Sequence, residues 1–599
     1  MNVRHSIIGA LVLVACHSST QIPPAPVHGA TDVGTERCLV ANTGQYTPPA
    51  GTIPAAFPDA WRHKAGRVPI QAAHAMVASD SPLGSAAGVE ILKKGGNAVD
   101  AAVAVGFANA VAYPEAGNIG GGGFMVIHMA DGRAATIDYR EVGPLAATRD
   151  MYLDASGTLT DKSIVGPTAS GVPGAVAGLT EALAKYGTMS LADVMAPAVR
   201  YAEEGVVVDS ALYNSFRTNL KYLAPYGSAT PFLVNGAPPA VGSIIRQPAL
   251  AATLRAIAAK GRSAFYEGAI AQAWTSELKS RGGLITMEDL ARYKPIWREP
   301  VRSTYRGYTL FTMPPASSGG VTITETMNIL EGFPQLPPFG STQWAHIVGS
   351  AYQRAFVDRN EKLADPAFVK VPIAELTDKS YAAKLRATIG KDRATPTSAI
   401  NDKLREGMET THYSVVDQAG NAVATTTTLN NLYGSGVYIA SAGFFLNDEM
   451  DDFAAAPGKP NMFGLVQGEA NAIQPGKRML SAMSPTIVTD RDGSLLLVVG
   501  SRGGPRIITS TSEVILNVLD YKMTLADAMS APRLHHQALP DSLYFERDGI
   551  TTAVADSLKA MGYGVSTGRG IGQVNAIMRV PGGYEGVSDP RGSGRPIGY

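Results

Sequence analysis

The chain has 599 residues, with 51 Lys and Arg against 51 Asp and Glu, so its formal net charge is zero. That balance removes the electrostatic case for a nucleic-acid binder, which needs a basic surface to neutralise phosphates. A hydrophobic content of 45% excludes a disordered chain, and two cysteines exclude a disulfide scaffold or a thiolate metal cluster. The 64 Gly and 39 Pro point to many tight turns.

Arg4 and His5 precede an apolar run, Ile7 to Ala15. It is too short to span a bilayer, which takes about 20 residues, and it fits the apolar core of a secretory signal. The run ends Leu13-Val14-Ala15-Cys16, which resembles the bacterial lipobox; in that reading Cys16 becomes the lipid-carrying first residue of the mature protein. An ordinary signal peptide with an incidental cysteine is the alternative. Residues 17–58 hold seven prolines (Pro23, Pro24, Pro26, Pro48, Pro49, Pro54 and Pro58) without helical or strand period. They read as a semi-extended tether, 16–60, between the leader and a body that begins near Trp61.

In the body, the apolar period of Ser85–Lys94 predicts a helix stopped by Gly95-Gly96. Asn97 caps a second helix from Ala98 to about Ala112. The glycine-rich stretch 117–123 lacks the Lys-Ser/Thr ending of a phosphate loop and precedes a strand, which argues against nucleotide binding. A hairpin runs from Phe124 to Arg140 across the turn at Ala130–Arg133. The middle, about 175–400, reads as mostly helical, interrupted by P-P-A-S-S-G-G (314–320), and residues 388–409 read as an exposed loop. From Thr410 the pattern turns to alternating strands, with helices over Arg506–Leu519 and Thr524–Met529.

Thr410 begins a strand directly after an irregular loop. A threonine hydroxyl is a poor nucleophile without an adjacent base, and a free α-amino group on the same residue supplies one, with an unperturbed pKa of about 8. Cleavage before Thr410 creates that amine. Residue types alone favour a Thr-rich edge strand over a nucleophile, since threonine favours sheets. His412 shares the strand face of Thr410 and is a second candidate base. His535-His536, read as helical and therefore divergent, have no third ligand in sequence, so no metal site is expected.

T-T-H-Y-S-V-V-D (410–417), T-L-N (428–430), N-D-E-M-D-D-F (447–453), S-A-M-S-P (481–485), S-R-G-G (501–504) and A-P-R-L-H-H-Q (531–537) resemble the small subunit of the γ-glutamyltransferases. I-L-K-K-G-G-N-A-V-D-A-A-V-A (91–104), G-N-I-G-G-G-G-F-M (117–125), D-Y-R-E (138–141) and P-P-A-S-S-G-G (314–320) resemble the large subunit. The resemblance implies an α+β, four-layer αββα sandwich of the N-terminal-nucleophile hydrolase type. It implies autocatalytic cleavage between Glu409 and Thr410 into a large subunit (61–409) and a small catalytic subunit (410–599) that remain together as a heterodimer. It also implies hydrolysis or transfer of the γ-glutamyl group of glutathione to water or to amino-acid and peptide acceptors, without a cofactor.

Residue by residue, Thr410 matches the family nucleophile, Thr428 its supporting threonine, and Gly503 and Gly504 the oxyanion-binding pair. Arg140 matches the arginine for the substrate α-carboxylate, whose planar shape a guanidinium fork fits, and Ser481 a hydroxyl donor to the same group. Asn430, Glu449 and Asp452 match the cluster for the α-ammonium, although E-M-D-D alone reads as a solvated acidic loop. Three positions depart from the pattern: Ala482 removes a hydroxyl, Arg502 adds a charge beside the oxyanion glycines, and Phe463 in the lid segment 457–464 removes a hydrogen bond to Asn430. Two competing expectations remain, a glutaryl or cephalosporin acylase (or poly-γ-glutamate-processing relative), and a non-catalytic lipoprotein that binds amino acids or peptides.

Overall fold

The computed structural model describes residues 56–397, 410–462 and 464–599. Two seven-stranded sheets form its centre. One runs, in spatial order, Ile70–Ala72, Gly583–Ser588, Gln573–Val580, Leu495–Arg502, Thr486–Thr489, Tyr308–Thr312 and Val301–Tyr305. The other runs Ile597–Gly598, Met76–Ser79, Thr411–Val416, Ala422–Thr428, Gly122–His128, Ala134–Asp138 and Ile296–Arg298. Every neighbouring pair within these two sheets is antiparallel.

Between the sheets lies an apolar layer that includes Phe124, Val126, Val416, Ile487, Val498 and Ile577. Outside the second sheet, helices including Pro82–Lys93, Ala98–Ala112 and Ala175–Tyr186 close a separate core. Outside the first sheet, Gly319–Glu331, Thr342–Lys362 and Arg506–Leu519 close another. The result is the four-layer αββα sandwich of N-terminal-nucleophile hydrolases, and a strand buried on both faces shows little solvent-facing alternation.

The helix Ala98–Ala112 is alanine-rich and apolar around its whole circumference, and all but its last residue is buried. That pattern marks a helix packed on every side. Its start is a capping box: the Asn97 side chain accepts the Val99 and Asp100 amides, and Asp100 accepts the Asn97 amide at 2.8 Å.

The strand Thr411–Val416 is buried throughout. Tyr413 and Val415 join the helix-side core, whereas Val416 joins the inter-sheet layer. The period of two therefore turns Thr410, His412 and Ser414 toward the inter-sheet face as well. This strand and its partner Ala422–Thr428 sit in the middle of their sheet, flanked by Met76–Ser79 and Gly122–His128. Segments from both sides of position 410 thus alternate within one sheet, and breaking the chain there leaves the ladder hydrogen bonds in place.

One reading of the sequence needs extension and one needs correction. The middle of the chain is mostly helical, but Ile296–Arg298, Val301–Tyr305 and Tyr308–Thr312 also add strands at the ends of the two sheets. Their short length and the single turn at Arg306–Gly307 gave a weak strand signal. His535 also lies on a short strand, Leu534–His535, not a helix. Its ring bonds Thr509 Oγ1 at 3.0 Å and Gln537 Oε1 at 2.8 Å, while His536 Nδ1 accepts the Ala538 amide at 3.1 Å. The third expectation in this region, the exposed loop at 388–409, falls mostly outside the described residues.

Candidate active site

Thr410 stands at the head of the central strand, 4% exposed. Its Oγ1 lies 3.4 Å from Thr428 Oγ1, longer than an ordinary hydroxyl hydrogen bond. Thr428 ends the paired strand Ala422–Thr428. Its Oγ1 accepts the Asn430 amide at 2.8 Å and its carbonyl accepts Asn118 Nδ2 at 2.9 Å. Asn118 also accepts the Gly121 amide at 2.8 Å, so the glycine-rich stretch serves as packing and positioning for Thr428.

The strand Leu495–Arg502 of the other sheet ends in Gly503-Gly504, and the helix Arg506–Leu519 begins immediately after. Gly503 has φ 127° and Gly504 φ 55°, a left-handed region that side chains rarely adopt. Gly504, Pro505 and Ile507 line the same cavity as Thr410. Backbone N–H groups at a helix N-terminus stabilise developing negative charge.

Arg140 follows the strand Ala134–Asp138 and is 1% exposed. Its Nη1 lies 2.5 Å from Glu449 Oε2, in an ion pair without hydrogen-bond alignment, and 3.5 Å from Glu141. Its Nη2 hydrogen-bonds Asp452. Its Nε reaches the Met479 carbonyl at 3.3 Å, and its own carbonyl accepts the Tyr293 hydroxyl at 2.9 Å. Glu449–Asp452 forms a buried turn of 3-10 helix, not a solvated loop. Burial raises the Glu449 and Asp452 carboxyl pKa values, with Arg140 opposing. Burial likewise disfavours the charge of Arg140, but Glu449, Asp452 and Glu141 outweigh it and hold the guanidinium protonated.

Asn430 has φ 78°, a conformation asparagine tolerates. Its Nδ2 donates to the Asp448 carbonyl at 3.0 Å, and the sulfur of Met462 in the lid segment stands 3.8 Å away. Ser481 is 2% exposed; its carbonyl accepts both the amide and the hydroxyl of Ser318, at 2.7 and 2.5 Å. The P-P-A-S-S-G-G stretch therefore holds the Ser481 loop, a role its composition did not reveal.

Arg140, Thr410, Thr428, Asn430, Asp452, Ser481 and Gly504 all line one cavity of about 20 Å³. Glu449 reaches it through Arg140, and Gly503 adjoins it in sequence. Cys16, Glu409 and Phe463 lie outside the described residues. Of the departures, Ala482 lines the cavity wall. Arg502 instead points into a neighbouring cavity of about 540 Å³. There it pairs with Glu115 at 3.2 Å, bonds Gln573 at 2.9 Å and contacts the Tyr113 hydroxyl, so its charge is balanced locally.

His412 does not serve Thr410 as a base. Its ring nitrogens bond Thr426 Oγ1 at 2.8 Å and Ser414 Oγ at 3.1 Å, and burial pushes its pKa down to about 3, leaving it neutral. The ring packs against Gly500, where a Cβ would come within 2.3 Å of it. Sequence reasoning missed Arg359, which also lines the cavity. It sits within the long helix Thr342–Lys362 among other charged residues, and nothing in the local pattern sets it apart.

The gamma-glutamyltranspeptidase family profile matches residues 84–599. The glutathione hydrolase proenzyme of Escherichia coli K12 is 44% identical over 597 residues, covering 98% of this chain and 97% of its own. The acylase ACY 1 proenzyme of Pseudomonas sp. SE83 is 40% identical, covering 88% of this chain and 94% of its own. Among solved structures, the cephalosporin acylase of Bacillus halodurans superposes with a TM-score of 0.79 at 27% identity, covering 93% of this chain and 99% of its own. With this architecture and this extent of match, the chain belongs to the gamma-glutamyltranspeptidase family.

Proposed function

We propose that this chain is the proenzyme of a γ-glutamyl hydrolase and transferase that cleaves the γ-glutamyl amide of glutathione and related compounds. The observation that carries the reading is one cavity holding the Thr410 hydroxyl together with a buried guanidinium and its buried carboxylates. The chain cuts itself between Glu409 and Thr410, and residues 61–409 and 410–599 stay together as a heterodimer. The interleaved central sheet supports that cohesion.

In the reaction, Thr410 Oγ1 attacks the γ-carbonyl carbon while the Thr410 α-amine takes the hydroxyl proton. The N–H groups at Gly503 and Gly504 face the oxyanion of the tetrahedral intermediate. Collapse transfers the proton to the departing amine and leaves a γ-glutamyl ester on Thr410. Water then releases glutamate, or an amino-acid or peptide amine takes the acyl group. Thr428 orients the nucleophile.

Arg140 takes the α-carboxylate with help from Ser481, and Glu449, Asp452 and Asn430 take the α-ammonium. Arg140 pairs with Glu449 and Asp452 across the same wall. A zwitterionic substrate replaces the internal ion pairs with two of its own, so binding leaves no buried charge unpaired.

A second reading is an acylase for glutaryl or cephalosporin amides, favoured by the resemblance to the acylase ACY 1 proenzyme. A glutaryl group lacks the ammonium, so it would displace the carboxylates from Arg140 without supplying a cation in exchange. The test compares a γ-glutamyl and a glutaryl amide of the same leaving group. Strong preference for the glutamyl donor supports the proposal, and equal turnover moves the acylase reading ahead.

We also propose that the protein is exported to the periplasm of a Gram-negative cell and anchored there through lipidated Cys16. Among the described residues no helix is long and apolar enough to cross a membrane. Lipid attachment adds about 0.8 kcal/mol per buried methylene, and two or more acyl chains hold stably. Wild-type protein should partition into the detergent phase, and Cys16→Ser should abolish that partition. A mature protein that begins at another residue and stays in the aqueous phase defeats the anchor.

A further inference from the structure

Arg359 is the second guanidinium in the cavity wall, and it differs from Arg140 in how it is satisfied. It is 1% exposed. Its Nε donates to Ser318 Oγ at 2.9 Å and its Nη1 to Asn360 Oδ1 at 2.9 Å. Among the described residues its Nη2 has no hydrogen-bond partner and no carboxylate lies within ion-pair distance. Arg140, by contrast, already has two carboxylates on its fork.

A buried cation with an unmade N–H bond is destabilising, and such a group in a native fold calls for a reason. Burial lowers the Arg359 pKa to about 10, with the charge of Asp452 opposing, so the group stays protonated at neutral pH. It is thus a desolvated cation in the wall of the cavity that holds Thr410, with its Nη2 N–H donors unspent.

We infer that Arg359 Nη2 donates to the α-carboxylate of the γ-glutamyl group, making Arg359 a second carboxylate-binding residue beside Arg140. This rests on the γ-glutamyl reading above. An incoming carboxylate meets competition from Glu449 and Asp452 at Arg140, whereas at Arg359 it meets an open donor. Ala482, on the same wall, offers no hydroxyl, so Arg359 supplies a contact that this side chain cannot. The bond to Ser318, which holds the Ser481 carbonyl, fixes the guanidinium relative to the Ser481 hydroxyl.

The test uses two donors with the same leaving group, a γ-glutamyl amide and a 4-aminobutyryl amide, which lacks only the α-carboxylate. In matured Arg359→Gln, kcat/KM for the γ-glutamyl donor should fall roughly 10- to 150-fold, the cost of one hydrogen bond to a charged group. The value for the 4-aminobutyryl donor should stay within about twofold, because that donor never used the contact. Equal losses on both donors would make Arg359 a support for the Ser318–Ser481 loop and overturn the inference. If the variant does not mature, a crystal structure of the wild-type enzyme with L-glutamate decides. An α-carboxylate oxygen at hydrogen-bond distance from Nη2 supports the assignment, and one beyond about 4 Å refutes it. Wild-type enzyme inert toward γ-glutamyl amides would sink the functional reading itself, a result distinct from either outcome in the variant.

Discussion

Thr410→Ala is expected to leave the chain uncut and inactive. On a denaturing gel the wild type should give two fragments, the smaller beginning T-T-H-Y-S, whereas the variant should run as one chain. The hydroxyl is required twice, first on the carbonyl of residue 409 and later on the γ-glutamyl carbonyl, and no neighbour replaces it. Thr428 Oγ1 is committed to the Asn430 amide, and His412 is committed to Thr426 and Ser414. Turnover should drop by at least about 1,000-fold, the scale seen when a nucleophile is removed. The fold should survive, because Thr410 sits at the end of its strand and loses only a methyl and a hydroxyl. A melting temperature close to that of wild type checks this. Active protein consisting of a single uncut chain would refute both the cut and the nucleophile.

The second large effect lies in the zwitterion clamp. Arg140→Lys keeps a positive charge but replaces a planar fork with a point charge. Arg140 touches Glu449 and Asp452 at once through different nitrogens, a geometry lysine cannot copy. KM for γ-glutamyl donors should rise roughly 10- to 150-fold for the loss of one hydrogen bond to a charged group. Full removal of the cation would leave buried carboxylates unpaired, at about 3–5 kcal/mol, so an Arg140→Ala result would confuse binding with unfolding. Asp452→Asn keeps the volume and leaves Arg140 paired with Glu449. It should raise KM by a similar factor, leave cleavage at Thr410 largely intact, and narrow the preference for glutamyl over glutaryl donors, since the amide no longer needs a cation opposite it. An unchanged preference in Asp452→Asn would mean that Asp452 does not read the ammonium.

Local sequence determined a good part of this protein. The helix Ala98–Ala112 follows from its apolar run and its Asn97 cap, and Arg506–Leu519 from its apolar period, because those signals act within a turn or two of the backbone. The strands at 411–416 and 422–428 follow from β-branched and aromatic residues around a short turn. The candidate nucleophile, the arginine and the acidic cluster were found by ordered motifs. Residue type alone would have left Thr410 in an ordinary strand and E-M-D-D in a solvated loop.

The tertiary structure decided what no local pattern encodes. Arg140 and Asp452 are 312 positions apart, yet they share a hydrogen bond, and that contact is set by the stacking of distant elements. Burial, not sequence, turned the acidic turn into a carboxyl cluster held by one guanidinium. It also took His412 out of contention as a base, by giving its ring two hydroxyl partners and burying it from solvent. Arg359 carried no signal at all: in the chain it is one charge among several on a long helix. It becomes singular only where the fold removes solvent and leaves its Nη2 without a partner among the described residues, since an unmade hydrogen bond has a cost only after water has been excluded.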